Sequence, residues 1–275
     1  MAKTLTMPAV MLSPAERHAL RINRLYRVLP FISIGLLLLL WIVASRGADS
    51  QFPGPAAILE RYQQLMERPI KGLNIYGHVW ASLKRVFIAL LIAWTLGISF
   101  GILTGWNRRL DALLTPLFTA FRSVPPLAWI PLITMWFGIG EQPKILVVII
   151  GCIGAIVVNT HAGMSNVERL YLDVGTIFNA SPRQKLFEIA IPSALDAIFA
   201  GIRTSTSAAW MVVLASEMLG GASGVGFLIV RGMDALDMPL VLLSMVSIGL
   251  VGALLAIVTQ LTEMVICPWK RKKSA

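Results

Sequence analysis

Charge is scarce in this chain of 275 residues, of which only 14% are Asp, Glu, Lys or Arg, against roughly 25% in a soluble domain. Apolar side chains make up 56% and mean hydropathy is +0.75, which excludes a soluble globular protein. Cysteine is nearly absent: Cys152 and Cys267 lie in or beside different apolar runs and form no CxxC pair. A disulfide framework and a zinc site are therefore not indicated, and both cysteines read as inert thiols. The three histidines, His18, His78 and His161, are far apart in sequence, so no metal site is expected within the chain. Catalytic patterns are missing too. There is no phosphate-binding G-x-x-x-x-G-K-[ST], no H-E-x-x-H and no G-x-S-x-G, and the glycines Gly220, Gly221, Gly224 and Gly226 follow an apolar span instead of a strand. Nucleotide binding and covalent catalysis by this chain are not expected.

Long apolar runs dominate instead. Five charge-free stretches cover residues 28–45, 86–106, 123–140, 145–167 and 238–262, each near the roughly 20 residues that a helix needs to cross a hydrocarbon core. A sixth span is hidden at residues 198–219, where Arg203 and Glu217 interrupt the pattern and would be costly against lipid. The expectation is an all-α membrane protein with six transmembrane helices. Placing both termini in the cytoplasm puts fourteen Lys and Arg residues inside and eight outside, as the positive-inside rule requires. Lys84 and Arg85 then sit on the unfavoured side. The net charge of +10 is spread over these flanks instead of gathered on a polar face, which argues against nucleic acid as a partner. Residues 1–27 carry Lys3, Arg17, Arg21, Arg24 and Arg27 and read as a cytoplasmic tail before an uncleaved first span. Residues 267–275 form a second basic tail with Lys270, Arg271, Lys272 and Lys273.

Between these limits, 28–266, the chain has internal punctuation. After the first span, Ile58, Leu59, Tyr62, Leu65 and Met66 recur at helical spacing with charged residues opposite, predicting an amphipathic helix over about 54–70 at the outer membrane surface. Gly97, Gly101 and Gly105 form a small-xxx-small series in the second span, suited to close packing within one subunit or between two. The third span, from Ala112 to about Phe137, contains Arg122-Ser123-Val124-Pro125-Pro126. Two prolines remove two backbone donors and push Val124 out of helical geometry, so this helix is expected to be broken. A broken helix at membrane depth is either a packing kink or the wall of a cavity. The only long hydrophilic stretch is 168–196, enough for two short helices divided at Ser181-Pro182, a serine cap followed by proline at the first helical position.

Within the sixth span, Asp196, Arg203, Trp210 and Glu217 recur every seven residues, and this spacing drifts by only about 20° per step on a helix. Thr206 and Ser207 join that face. Such a polar stripe faces protein or water. Either Arg203 and Glu217 are satisfied by neighbouring helices, or Arg203, with Arg122 near the proline break, biases a cavity toward anions.

The segment DVGTIFNASPRQKLFEIAIP, residues 173–192, resembles the EAA loop of ABC importer permeases, whose pattern is EAA-x3-G-x9-I-x-L-P. Asp173, Val174 and Gly175 occupy the EAA positions, Asn179 replaces the glycine, and Ile189, Ile191 and Pro192 fit the end of the pattern. Asparagine visits left-handed backbone geometry more readily than most residues, which makes that replacement tolerable. The runs SVPPLAWIPLITMWFGIGEQPKI and AGIRTSTSAAWMVVLASEMLGGASGVGFLI are similar to the nitrate, sulfonate, taurine and bicarbonate group of these permeases, over roughly residues 52–266. The run Pro125-Pro126-Leu127-Ala128-Trp129 is most similar to taurine permeases.

The resemblance implies a type I importer fold and a permease that is not itself an enzyme. It implies a second copy of the permease, two cytoplasmic ATPase subunits that bind ATP and Mg, and an extracytoplasmic substrate-binding protein, all at a bacterial inner membrane. The ATPase-docking residues would be Asp173, Val174, Gly175, Asn179, Ala180, Ser181, Pro182, Ile189, Ile191 and Pro192. The pathway residues would be Arg122, Pro125, Pro126, Trp129, Arg203, Thr206, Ser207, Trp210 and Glu217. A small sulfonate leads as substrate, with nitrate, bicarbonate or an aromatic acid as alternatives. The competing class, a self-sufficient secondary transporter, would show internal repeats or paired intramembrane acids, and neither is visible in the sequence.

Overall fold

The computed structural model describes Leu29 and residues 32–46 and 52–267. The basic residues of both tails lie outside the described residues. The chain divides into two units, Met1–Ala57 and Ile58–Ala275. In the first, α1 is the short apolar helix Ile32–Ala44, and Trp41 Nε1 donates to the Pro53 carbonyl at 3.1 Å.

Helices make up most of the remaining described residues, in the order α2 (Pro55–Glu67), α3 (Ile75–Trp106), α4 (Arg108–Arg122), a 3-10 turn (Pro126–Trp129), α5 (Ile130–Phe137), α6 (Glu141–Ser165), α7 (Arg169–Ile177), α8 (Pro182–Gln184), α9 (Ile191–Met218), α10 (Val225–Asp234) and α11 (Met238–Ile266). Three of these, α3, α6 and α11, are long and apolar enough to cross a membrane. The sequence expectation of six spans thus meets three long apolar helices, the shorter apolar helices α1 and Pro126–Phe137, and α9, which has 28 residues but carries the charges noted above.

The bundle is built around α6, with α3 on one side and α9 on the other. On α3, Gly97, Gly101 and Gly105 present backbone to α6. A Cβ at Gly101 would lie 2.6 Å from Thr160 Cβ, and one at Gly105 2.6 Å from Met164 Cβ. The glycine series therefore packs within the chain, the first of its two readings. Gly151 and Gly163 serve the other side, with a Cβ at either lying 2.7 Å from Val212 or Ala197 of α9. Where lipid supplies no hydrophobic drive between helices, such close approach is a main source of adhesion.

Above the glycines the contact fills with larger side chains. Val86, Ala89, Leu90 and Ala93 of α3, spaced along one helical face, meet Val148 and Cys152 of α6, Ala209, Trp210 and Val213 of α9 and Leu255 of α11. Cys152 and Cys267 are both buried.

Capping sets the boundaries. Asn74 Oδ1 accepts from Gly77 N at 2.9 Å to open α3, and Asn107 Oδ1 accepts from Arg109 N at 3.0 Å to open α4. Asp237 Oδ1 accepts from Leu240 N at 3.0 Å to open α11. Its other oxygen accepts from Arg61 Nε of α2 at 2.6 Å. The amphipathic helix thus uses a residue of its charged face to grip the α10–α11 turn, while Ile58 and Leu65 are buried.

The close approach at Gly101 generates a test. Gly101→Val is expected to destabilise the folded protein by about 1–3 kcal/mol through overpacking, because Thr160 Cβ and the Val157 carbonyl stand within 3.0 Å of the new Cβ. Gly154→Ala, whose Cβ would meet only Arg122 Cβ at 3.9 Å, is expected to melt as the parent does. Thermal unfolding of the detergent-solubilised protein distinguishes them.

Candidate translocation and docking sites

Arg85 lies inside α3 with its side chain only 3% exposed. A guanidinium in apolar surroundings must be paired and fully hydrogen-bonded. Its Nε and Nη2 donate to Glu141 Oε2 and Oε1 at 2.6 and 2.8 Å, and Nη1 donates to Glu217 Oε1 at 2.5 Å. Ser223 accepts the remainder, through its carbonyl at 3.0 Å and its hydroxyl at 2.7 Å.

Glu217 is equally well used. Its Oε2 accepts from Ser82 Oγ at 2.9 Å and from Gly226 N at 3.0 Å. The Val225 N–H donates to Ser82 Oγ at 3.0 Å, and the Gly224 N–H donates to His78 Nδ1 at 3.2 Å. Because Nδ1 accepts, the proton of a neutral His78 sits on Nε2, which faces the Ile70 carbonyl at 3.2 Å. Gly224 has φ +111°, and a side chain there would collide with the Glu217 carboxylate. One cation thus ties α3, α6 and α9 to the turn before α10.

The seven-residue stripe is divided among different neighbours. Arg203 Nη1 donates to Glu263 Oε2 of α11 at 2.7 Å, with the arginine side chain 46% exposed. Trp210 Nε1 donates to the Ile248 carbonyl of α11 at 3.2 Å, while Glu217 turns to α3. Thr206 and Ser207 return their hydroxyls to Ile202 and Arg203 of their own helix. Asp196 keeps Oδ1 buried without a hydrogen-bond partner among the described residues. Arg203 and Glu217 each meet an opposite charge on a neighbouring helix of this chain.

The proline break is present where the sequence places it. α4 ends at Arg122, Pro125 and Pro126 interrupt the backbone, and the chain resumes as a 3-10 turn into α5. Arg122 and Pro125 are exposed and Pro126 is half-buried. Trp129 packs on Phe121 across the break with ring centroids 5.2 Å apart, and its Nε1 is buried without a hydrogen-bond partner among the described residues.

At the opposite end from Glu217, residues 168–196 fold as two short helical pieces. α7 holds Asp173, Val174 and Gly175. A Cβ on Gly175 would lie 2.6 Å from Ile189 Cδ1, so the glycine lets α7 rest on the following helix. Asn179 adopts φ +54°, the left-handed geometry that suits a residue standing where the pattern has glycine. The Ala180 N–H then closes on the Gly175 carbonyl at 2.8 Å. Ser181 and Gln184 form a reciprocal capping box with Pro182 at the first position. From there the helix passes through a π turn at Lys185–Ala190 into α9, and the π turn adjoins Pro192, which has no N–H to give. Leu170, Tyr171, Val174, Ile177, Phe178 and Phe187 are exposed, Phe178 at 80%.

Arg85, Ser82, His78 and Glu141 were missed as site residues. In the sequence Arg85 flanks a run beginning at Val86, and Glu141 falls between two charge-free runs. The available signal is the pair Lys84-Arg85 at the edge of one apolar run and Glu217 inside another.

The family described as "Binding-protein-dependent transport system inner membrane component" matches residues 97–271. The chain is 32% identical over 250 residues to the nitrate import permease protein NrtB of Synechocystis sp., covering 88% of this chain and 90% of that one. It is 33% identical to the bicarbonate transport system permease protein CmpB of Synechococcus elongatus, over 83% of this chain and 85% of that one. It is 29% identical to the taurine transport system permease protein TauC of Escherichia coli, over 86% and 89%. Among solved structures, an inward-facing conformation of the MetNI methionine ABC transporter superposes with a TM-score of 0.63 at 18% identity, covering 75% of this chain and 98% of that one. At that identity the likeness is one of fold.

The Arg85 cluster predicts a strong, paired response to mutation. Arg85→Met strands Glu217 in apolar surroundings and is expected to cost about 3–5 kcal/mol. The double replacement Arg85→Met with Glu217→Met is expected to recover most of that loss, which a double-mutant cycle on thermal unfolding would read as coupling.

Proposed function

Since the chain belongs to the binding-protein-dependent transport system inner membrane components, and is an ABC importer permease of the nitrate, bicarbonate and taurine group, we propose that it forms the translocation pathway for a small sulfonate such as taurine. Nitrate, bicarbonate or an aromatic acid is the alternative within the same group. The working unit in this reading is two copies of the permease, two cytoplasmic ATPase subunits that bind ATP and Mg, and an extracytoplasmic binding protein. The chain crosses a bacterial inner membrane six times with both termini in the cytoplasm, and it catalyses no reaction itself.

The observation that carries the proposal is the surface of residues 168–196. Apolar side chains of α7 and its following turn are exposed on a polar segment outside the long apolar helices, as a docking surface for a soluble partner requires. The capping box, the left-handed Asn179 and the Gly175–Ile189 contact give that surface a fixed shape. Because the segment runs into α9 through helical backbone, closure of an ATPase pair around ATP would move α9 with it and reorient the pathway between two states. Arg122, exposed at the proline break, supplies positive charge suited to an anion, with Pro125, Pro126 and Trp129 shaping the wall. Arg203 serves the same role with Glu263 as its counter-charge, alongside Thr206, Ser207, Trp210 and Glu217.

Proteoliposomes holding this chain with its ATPase and binding protein are expected to take up labelled taurine only with ATP, and other sulfonates are expected to compete. ATPase activity stimulated by a loaded binding protein without taurine uptake would retain the importer and discard the sulfonate. Ala180→Glu is expected to leave ATP hydrolysis in place and reduce uptake by about tenfold or more, as loss of a centrally buried docking contact does at other interfaces. Uptake per ATP equal to that of the parent would overturn the docking assignment.

A further inference from the structure

A partly enclosed cavity of about 120 Å³ lies beside the proline break, where Ile130 and Thr134 of the broken helix face Pro143, Lys144 and Val147 of α6 and Ser216 of α9. Its walls are mostly apolar, yet Lys144 lines it while only 8% exposed. A buried ammonium is costly unless its charge and its donors are met. The carboxylate it meets is Glu141, at 3.1 Å through Oε1. That oxygen is already shared with Arg85 Nη2 at 2.8 Å, and the Glu141 side chain is 59% exposed, so solvent screens the anion far more than the cation. The lysine sits in the first turn of α6, where the helix dipole adds positive potential and Gly140 brings no capping side chain. The two hydroxyls in the wall donate elsewhere: Thr134 Oγ1 to the Ile130 carbonyl at 2.6 Å and Ser216 Oγ to the Val213 carbonyl at 2.8 Å. An ammonium has three donors, and one of those of Lys144 goes to Glu141.

We infer that this cavity is a binding site for the acid group of a small anion, with Lys144 as the residue that sets the sign of the charge admitted. The site rests on the proposed reading of the chain as an importer of small anions, and it places a selective step in a cavity that neither Arg122 nor Arg203 lines. The cavity volume suits a sulfonate, carboxylate or nitrate group together with a short apolar tail. Arg85, itself paired with Glu217, holds Glu141 and so positions the lysine instead of touching the anion.

The test uses the detergent-solubilised complex of the permease with its ATPase, and sodium ethanesulfonate and sodium nitrate as probes, with sodium chloride at equal ionic strength as the reference. The probes are expected to raise the melting temperature of the permease in a saturable way. Lys144→Gln is expected to move the half-saturating concentration up by about tenfold, the loss typical of one charge-assisted contact, and Lys144→Arg to restore it. Equal responses in parent and Lys144→Gln, or no response beyond that to chloride, would overturn the site. A second measurement leaves the lysine in place: in Thr134→Cys, the probes are expected to slow maleimide labelling of the new cysteine, and unchanged labelling would overturn the site. Neither readout depends on transport, so a parent complex that binds these probes but imports none of them would discard the proposed substrates and leave the cavity assignment standing.

Discussion

Arg85 has to be charged, and it has to be dry. A guanidinium cannot shed its proton in a protein, so once α3 carries it into the bundle every donor needs an acceptor there. Two carboxylates and Ser223 meet that demand, and they come from α6, α9 and the turn before α10. The ends of three long helices are therefore fixed relative to one another by one side chain. Ser82, His78 and the N–H groups of Gly224, Val225 and Gly226 complete the set. Pairing of this kind is weak evidence for net stability but strong evidence for a single arrangement, since any alternative packing would leave a buried charge unmatched.

Below that point the bundle is held by shape. Gly97, Gly101 and Gly105 on α3, and Gly151 and Gly163 on α6, remove the side chains that would hold backbones apart. Apolar association in a lipid setting depends on such contact rather than on expulsion of water. Charge thus fixes register at one end, and steric fit fixes distance along the rest. The segment at 168–196 adds a third kind of constraint. It is shaped by local backbone rules, a serine cap, a proline start and a left-handed asparagine, which leaves its apolar side chains free to meet another molecule.

Local rules and periodicity are what a sequence displays most openly, and they account for what was legible. The proline break at Arg122–Pro126, the capped second piece of 168–196, the position of Asn179 and the glycine face of α3 all follow from residues within a few positions of one another. The Arg85 cluster does not. Arg85 and Glu217 are 132 positions apart, and no spacing within one helix announces that they will meet. The heptad stripe on α9 was legible as a stripe, but its members serve different partners, because α3 and α11 approach α9 from different directions. Three apolar helices of spanning length were legible from hydropathy alone, whereas α9 demanded that its charges be read as paired.

The π turn at Lys185–Ala190 has a consequence for how this chain can vary in length. Each residue added to or removed from an α-helix rotates everything beyond it by about 100°. Between Ile191 and Glu217 such a change would swing the glutamate out of reach of Arg85 and turn Trp210 from its acceptor on α11. A π turn is the form a helix takes when it absorbs one extra residue without passing the rotation on. It sits where the polar segment enters α9, ahead of every side chain whose angular position matters. A change of one residue in the polar segment can therefore be taken up just ahead of α9 without turning Trp210 or Glu217 out of phase.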